Sequence, residues 1–243
     1  MNRLHPTPDD TVTTYPSLHY RCLTGIGPRQ DGSDYLVDFD VRIVGNGGPD
    51  SPGEIPLGDL QATLIRLGRA YEEGFDRFTV FDQRPDVLEL ASELFGPGFQ
   101  MFKDTIEDAF PEACPYEDIL FIRRLVVNPV ARGHRVGVSA LHRFMTDWEN
   151  GCSLIAVRAL PMQFLPGICT EPDWENQSLA SFPADRKDAL GKLENHFRGL
   201  GFKRFGTRPW MGLCPKLVQA PLQELAISDA LTLSREQFEE ALS

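Results

Sequence analysis

The sequence predicts an α/β or α+β domain on a mixed sheet, and three observations carry that expectation. Apolar runs of strand length alternate with stretches of helical period. Ile119 to Val127 (ILFIRRLVV) is apolar except for Arg123 and Arg124, as expected of a strand covered on both faces. From Asn128-Pro129 the chain then passes through a short turn directly into a helix with Val136, Ala140, Leu141, Phe144 and Trp148 on one face. There is no internal repeat and no low-complexity tract.

Residues 1–30, rich in Pro, Thr, Asp and Gly, read as a loosely held arm. Tyr35, Val37, Phe39, Val41 and Ile43 alternate at period two and predict a half-buried strand. After the Gly- and Pro-rich loop 45–53, Leu57, Leu60, Leu64, Leu67 and Tyr71 recur every three to four residues. That spacing predicts a helix over about 57–73, closed by Gly74. Phe78 to Phe81 (FTVF) is expected to be a short buried strand. A helix is expected to start near Pro85 and stop at Gly96-Pro97-Gly98. Residues 100–118 predict a further helical turn and a loop. Leu154 to Leu160 reads as strand, and Leu190, Leu193 and Phe197 as a helix ending near Leu200. Phe202 to Phe205 and Trp210 to Leu213 are expected to close the sheet as an antiparallel pair. The organisation expected is an arm (1–30), a main domain (31–215) and a helical tail (216–243). Ser234 is the N-cap before Phe238 and Leu242, and the tail packs on the domain or on a second copy as a homodimer.

The 243 residues include 42% hydrophobic and 24% charged residues, a globular balance that excludes disorder of the whole chain. No run approaches the roughly 20 apolar residues needed to span a bilayer, and Met1 to Tyr20 lacks the apolar core of a secretory signal. The net charge of −11 opposes binding to nucleic acid or anionic membrane and mildly favours a cationic substrate. Five scattered cysteines without a C-x-x-C pair argue against a disulfide framework or a structural zinc site, and the expectation is a cytoplasmic protein without metal.

Leu125 to Val138 (LVVNPVARGHRVGV) is the stretch richest in chemistry. A strand, a small-residue turn and a helix start follow one another, so amides without intrahelical partners and the positive end of a helix dipole converge. Arg132, His134 and Arg135 add cations, and the combination predicts an anion site, best filled by a phosphate-bearing ligand. There is no G-x-x-x-x-G-K-S/T and no G-x-G-x-x-G after a strand, so neither a P-loop nor a dinucleotide fingerprint is present.

The same stretch resembles motif A of the GNAT acetyltransferase superfamily: Leu125-x-Val127-x-Pro129-x-x-Arg132-x-x-Arg135-x-Gly137. The resemblance spans about residues 117–213, including Gly201-Phe202, which is similar to the pair that follows that superfamily's motif B. It implies a largely antiparallel mixed sheet flanked by helices, and acetyl-CoA as co-substrate. Leu125, Val126 and Val127 would take the pantetheine and acetyl end, and Arg132, Gly133, His134, Arg135, Val136, Gly137 and Val138 the pyrophosphate. The implied activity is direct acetyl transfer to a primary amine of a small molecule or peptide. The alternatives are a catalytically silent acyl-CoA-binding module, or an unrelated α/β protein whose turn binds phosphate.

Two departures stand out. Arg135 occupies a position where the superfamily has Gly, which costs roughly 1–2 kcal/mol if φ is positive there. Phe197 stands where a Tyr often serves as general acid. The carboxylates nearest the start of the motif strand, Glu117 and Asp118, are the candidates for general base, against a reading as solvated loop acids. His196 reads as a surface or supporting histidine. Under the resemblance the insert 161–186, with Trp174 among its acids, walls the acceptor pocket; otherwise it is a surface excursion.

Overall fold

A computed structural model describes residues 11–23, 31–47, 53–164, 185–207, 209–217 and 230–242. Among them eight strands form one open sheet: β1 (Thr11–Leu23), β2 (Leu36–Gly47), β3 (Glu54–Ile65), β4 (Asp118–Val127), β5 (Cys152–Arg158), β6 (Lys203–Phe205), β7 (Trp210–Leu213) and β8 (Leu231–Ser234). Their order is β6-β7-β5-β4-β3-β2-β1-β8. Only β4 and β5 run parallel, so the sheet is mixed as expected and largely antiparallel.

Helices cover both faces. α1 (Leu67–Glu72), α2 (Arg77–Phe81), α3 (Pro85–Leu94) and α4 (Asp104–Ala109) lie on one side, where Val80, Leu90 and Ile106 meet Ile119 and Phe121 of β4 and Leu154 of β5. α5 (Val136–Trp148) and α6 (Arg186–Gly199) lie on the other, where Leu141, Phe144 and Phe197 meet Leu120, Ile122 and Ile155. Alternate β4 residues thus feed two cores, which accounts for its near-continuous apolar run. α7 (Arg235–Leu242) packs Phe238 beside Ile43, Leu57 and Val136. None of the described helices is long and apolar enough to cross a membrane.

Several expectations are corrected. Residues 11–23 of the supposed arm form β1, paired with both β2 and β8. Thr14 is its one buried side chain, so little hydrophobic alternation marks it. Tyr20 nevertheless stacks near Phe144 and donates a 2.6 Å hydrogen bond to Asp147 of α5. Residues 1–10 and 24–30 lie outside the described residues.

The helix expected over 57–73 is instead β3 followed by α1. Ile43 pairs with Gly58 but Val44 with Pro56, leaving Leu57 as the extra residue of a β-bulge. The bulge puts Leu57 and Leu60 on one face at a helical spacing. Ala62 and Leu64 then continue at period two in the core that holds Leu60, while Leu57 packs in the adjoining one.

The FTVF run is α2 rather than a strand, with Asp76 accepting from the Phe78 amide at 3.1 Å as N-cap. The tail is not wholly helical, since β8 precedes α7. Ser234 does cap α7: its hydroxyl accepts from Gln237 N while Gln237 Oε1 accepts from Ser234 N. Of the insert 161–186, residues 165–184 lie outside the described residues.

Candidate functional site: a fork between two parallel strands

The parallel pair β4–β5 runs from Asp118↔Cys152, with a register shift before Ile119↔Leu154, to Ile122↔Val157 and then ends. Beyond it β4 runs on to Val127, paired among the described residues with β3 alone, while Arg158, the last residue of β5, pairs with Trp210 on β7. The two strands part at that point. A second β-bulge lies there: Gln61 pairs with Arg124 and Ala62 with Ile122, so Arg123 is the extra residue. A bulge shifts the alternation of side chains by one. Leu125 and Val127 therefore join Leu120 and Ile122 on the α5 side, while Arg123 reaches the α3 side.

At the far end of β4 the turn is pinned by its own polar groups. Asn128 donates from its amide N–H to Leu57 O (2.9 Å) and from its side chain to Pro56 O (2.7 Å). Arg132 Nε donates to Val127 O at 2.9 Å, and burial lowers its pKa, yet a guanidinium stays cationic in any case. Gly133 takes φ 82°, and Arg135 is the N-cap of α5 at φ 61°, ψ 9°. Arg135 supplies no side-chain cap, and Ser139 N to Arg135 O is a bond of α5's first turn. The amides of Val136, Gly137 and Val138 precede that bond, at the positive end of a 13-residue helix.

Fork and turn open into one cleft of about 1120 Å³. Among the described residues six cationic side chains line it (Arg123, Arg124, Arg132, Arg135, Arg158 and Lys192) against two carboxylates, Asp86 and Glu89. A chain of net charge −11 thus presents a basic cleft, which attracts anions locally whatever the overall charge.

The α3 side of the cleft holds two ion pairs side by side. Arg123 Nε lies 3.0 Å from Asp86 Oδ2, and Arg158 Nη1 3.2 Å from Glu89 Oε2. Asp86 and Glu89 are three apart on α3 and so share a face. Arg84 braces the first pair, bonding Asp86 at 3.1 Å and Asp38 at 2.6 Å, while Thr63 donates to Asp38. Burial alone would raise the pKa of Asp86, but the hydrogen bond from Arg84 and the charges of Arg84 and Arg123 outweigh it and hold the carboxyl below its usual range. The Arg158 guanidinium lies 5.8 Å from the Trp210 ring centre.

The residues expected at the site separate cleanly. Leu125, Val126, Val127, Arg132, Gly133, Arg135, Val136, Gly137 and Val138 all line the cleft; His134 sits in the same turn but not in the lining. Glu117 and Asp118 lie at the opposite end of β4 and outside the cleft lining. Glu117 is bound by Lys216 at 2.7 Å. Asp118 accepts from Gly68 N at 3.0 Å, and burial raises its pKa. Phe197 and His196 both line the cleft, and desolvation lowers the His196 pKa. The Cys152 thiol is buried and pushed up to about 12, so it stays protonated. Among the described residues no group of three or more His, Cys, Asp or Glu is placed to hold a metal ion.

The sequence reading missed Asp86, Glu89 and Arg158, and did not assign Arg123 to the site. The signal was present: arginines interrupt β4 and end β5, both otherwise apolar, and two acids sit at helical spacing after Pro85.

Compared with known proteins, the chain matches no family model, no curated sequence and no solved structure.

Proposed function

We propose that the chain is an acetyl-CoA-dependent N-acetyltransferase of GNAT type, working in the cytoplasm on a primary amine of a small molecule or peptide. The observation that carries this reading is the parting of β4 and β5 after Ile122↔Val157, in front of the N-terminus of α5. Past that point no strand among the described residues continues the β5 side of β4, so an extended amide-bearing arm could lie along residues 123–127. The cleft then runs on to the first-turn amides of α5 with Arg132 and Arg135, a cradle suited to a diphosphate. The donor set and the basic lining fit acetyl-CoA.

Acetyl-CoA supplies an activated thioester: the acceptor nitrogen bonds to the carbonyl carbon, the carbon–sulfur bond breaks and the thiolate leaves. The chain orients the two reactants and moves protons. We assign backbone amides of β4 near Leu125 to Val127 to meet the carbonyl oxygen as it gains charge. Two carboxylates line the cleft among the described residues, and two arginines hold Asp86 ionised. We assign Glu89, which faces Arg158, to receive the proton from the ammonium. Phe197 cannot donate a proton, so the thiolate is protonated by solvent.

Phe197 also favours a second reading, a silent acyl-CoA-binding module. Thermal unfolding with and without acetyl-CoA tests the shared part: at a hundred times Kd the ligand adds roughly 2.7 kcal/mol. An Arg132→Ala, Arg135→Ala double variant should show a smaller shift. Thiol release with any primary amine separates enzyme from module, and no shift in the wild type removes both.

A further inference from the structure

Arg123 and Arg158 follow directly on Ile122↔Val157, the last residues joining β4 to β5. They therefore stand on the two lips of the fork, at the end of the cleft away from the α5 turn. Each reaches the same helix face: Arg123 to Asp86 at 3.0 Å and Arg158 to Glu89 at 3.2 Å. None of the four is sealed in, since their side chains keep between 25% and 38% of their surface open. Four charges, two of each sign, thus face the cleft where the acceptor must approach the acyl group.

An acceptor with only a positive charge meets two arginines as near as the acids, and one with only a negative charge meets the acids. Either must displace a charge from an ion pair without supplying its replacement, which is costly in a partly desolvated site even where Arg84 still braces Asp86. A ligand bearing one charge of each sign exchanges partners instead: its carboxylate takes an arginine and its ammonium the freed carboxylate, with no charge left over. Guanidinium forks suit a planar carboxylate well, and the Trp210 ring 5.8 Å from Arg158 helps to fix its plane.

We infer that the acceptor is a zwitterion of amino-acid type, its carboxylate bound by Arg158 and Arg123 across the fork and its amine beside Glu89 and Asp86. This deepens the acetyltransferase reading and rests on it for the fate of the amine. Arg158, Glu89 and Asp86 are separate from the residues offered for acetyl-CoA, and Arg123 is shared only through its backbone, so the two can fail independently.

The test titrates L-amino acids, their carboxamides and their decarboxylated amines into the full chain by calorimetry, with and without coenzyme A, beside thermal shifts with acetyl-CoA. At least one amino acid should bind about tenfold or more tightly than its amide and its amine, because a site built for a carboxylate leaves arginines unpaired with either. R158Q should erase that preference while keeping the acetyl-CoA shift, and R158K should restore part of it. If R158Q folds poorly, the E89Q/R158Q variant removes the pair without stranding a charge and should show the same loss. Equal binding of amino acid and amine, or an acetyl-CoA shift with no amino acid bound, overturns the zwitterion proposal and leaves the acetyltransferase reading standing. Arg158-dependent binding without any acetyl-CoA shift does the reverse. Absence of both overturns both.

Discussion

Gly137 and Val127 are in such close contact that a β-carbon at position 137 would stand 2.7 Å from Val127 Cγ2. The first turn of α5 therefore rests on the last residue of β4 with no room for a side chain between them. Strand end and helix start are held at one spacing, and the first-turn amides share a cleft with the parted end of β4.

Gly137→Ala should consequently do more than raise helix propensity. Overpacking costs about 1–3 kcal/mol, which exceeds the gain from replacing Gly in a helix. The variant should melt lower, by roughly 2–4 °C for each kcal/mol at this chain size. Binding of acetyl-CoA should weaken together with stability, because the amides move with the turn. A variant that melts higher than the parent would show that α5 is not seated on Val127.

Arg135 presents the opposite case. At φ 61° and ψ 9° it sits in the left-handed region, where a side chain is strained by about 1 kcal/mol and Gly is not. Arg135→Gly should raise the urea midpoint while weakening anion binding at the turn, since a cation lining the cleft is lost. Stability and binding thus move in opposite directions. If both rise, the Arg135 side chain takes no part in the site.

Glu89 and Arg158 hold each other across the cleft at 3.2 Å with both side chains partly open to solvent. A double-mutant cycle with E89Q and R158Q should give a coupling of only about 0.5–1 kcal/mol, and less at high salt. A pair that contributed mainly to folding would couple more strongly. The weak coupling expected is what leaves the two charges exchangeable with a ligand.

The sequence and the fold agree where two physical signals coincide. Ile119 to Val127 is legible because both faces of β4 are buried, and α5 because Val136, Ala140, Leu141 and Phe144 keep helical spacing along two adjoining cores. Leu57 and Leu60 mislead because the bulge at Leu57-Gly58 gives a strand the spacing of a helix. β1 is silent because Thr14 alone is buried in it, and its place is settled by pairing with β2 and β8. At the site, local sequence carries the turn and the α5 start. The acids at 86 and 89 and the arginines at 123 and 158 meet only through the tertiary fold. Proximity along the chain favoured Glu117 and Asp118, yet a strand of ten residues separates its two ends fully, and they lie at the end away from the cleft lining.

Asp86 and Asp118 should respond to pH with opposite signs. The Asp86 carboxyl is held below its usual value by Arg84 and Arg123, despite burial. Its contribution is present above the unfolded value of about 3.9 and is lost as pH falls through the lower folded value. For Asp118, burial raises the folded value, so the native state binds the proton more tightly. Its contribution is present below about 3.9 and is lost as pH rises through the folded value. Asp118→Asn keeps an oxygen to accept from Gly68 N but carries no charge, so at pH 7 it should be at least as stable as the parent, with the difference closing in acid. Asp86→Asn leaves Arg84 and Arg123 to share Asp38 alone at pH 7, and its deficit should shrink as pH falls toward 3. Urea midpoints for the three proteins between pH 3 and 7 decide the matter. Parallel curves for the two variants would mean that the braced Asp86 and the buried Asp118 experience the same environment, contrary to their placement at opposite ends of the β4 neighbourhood.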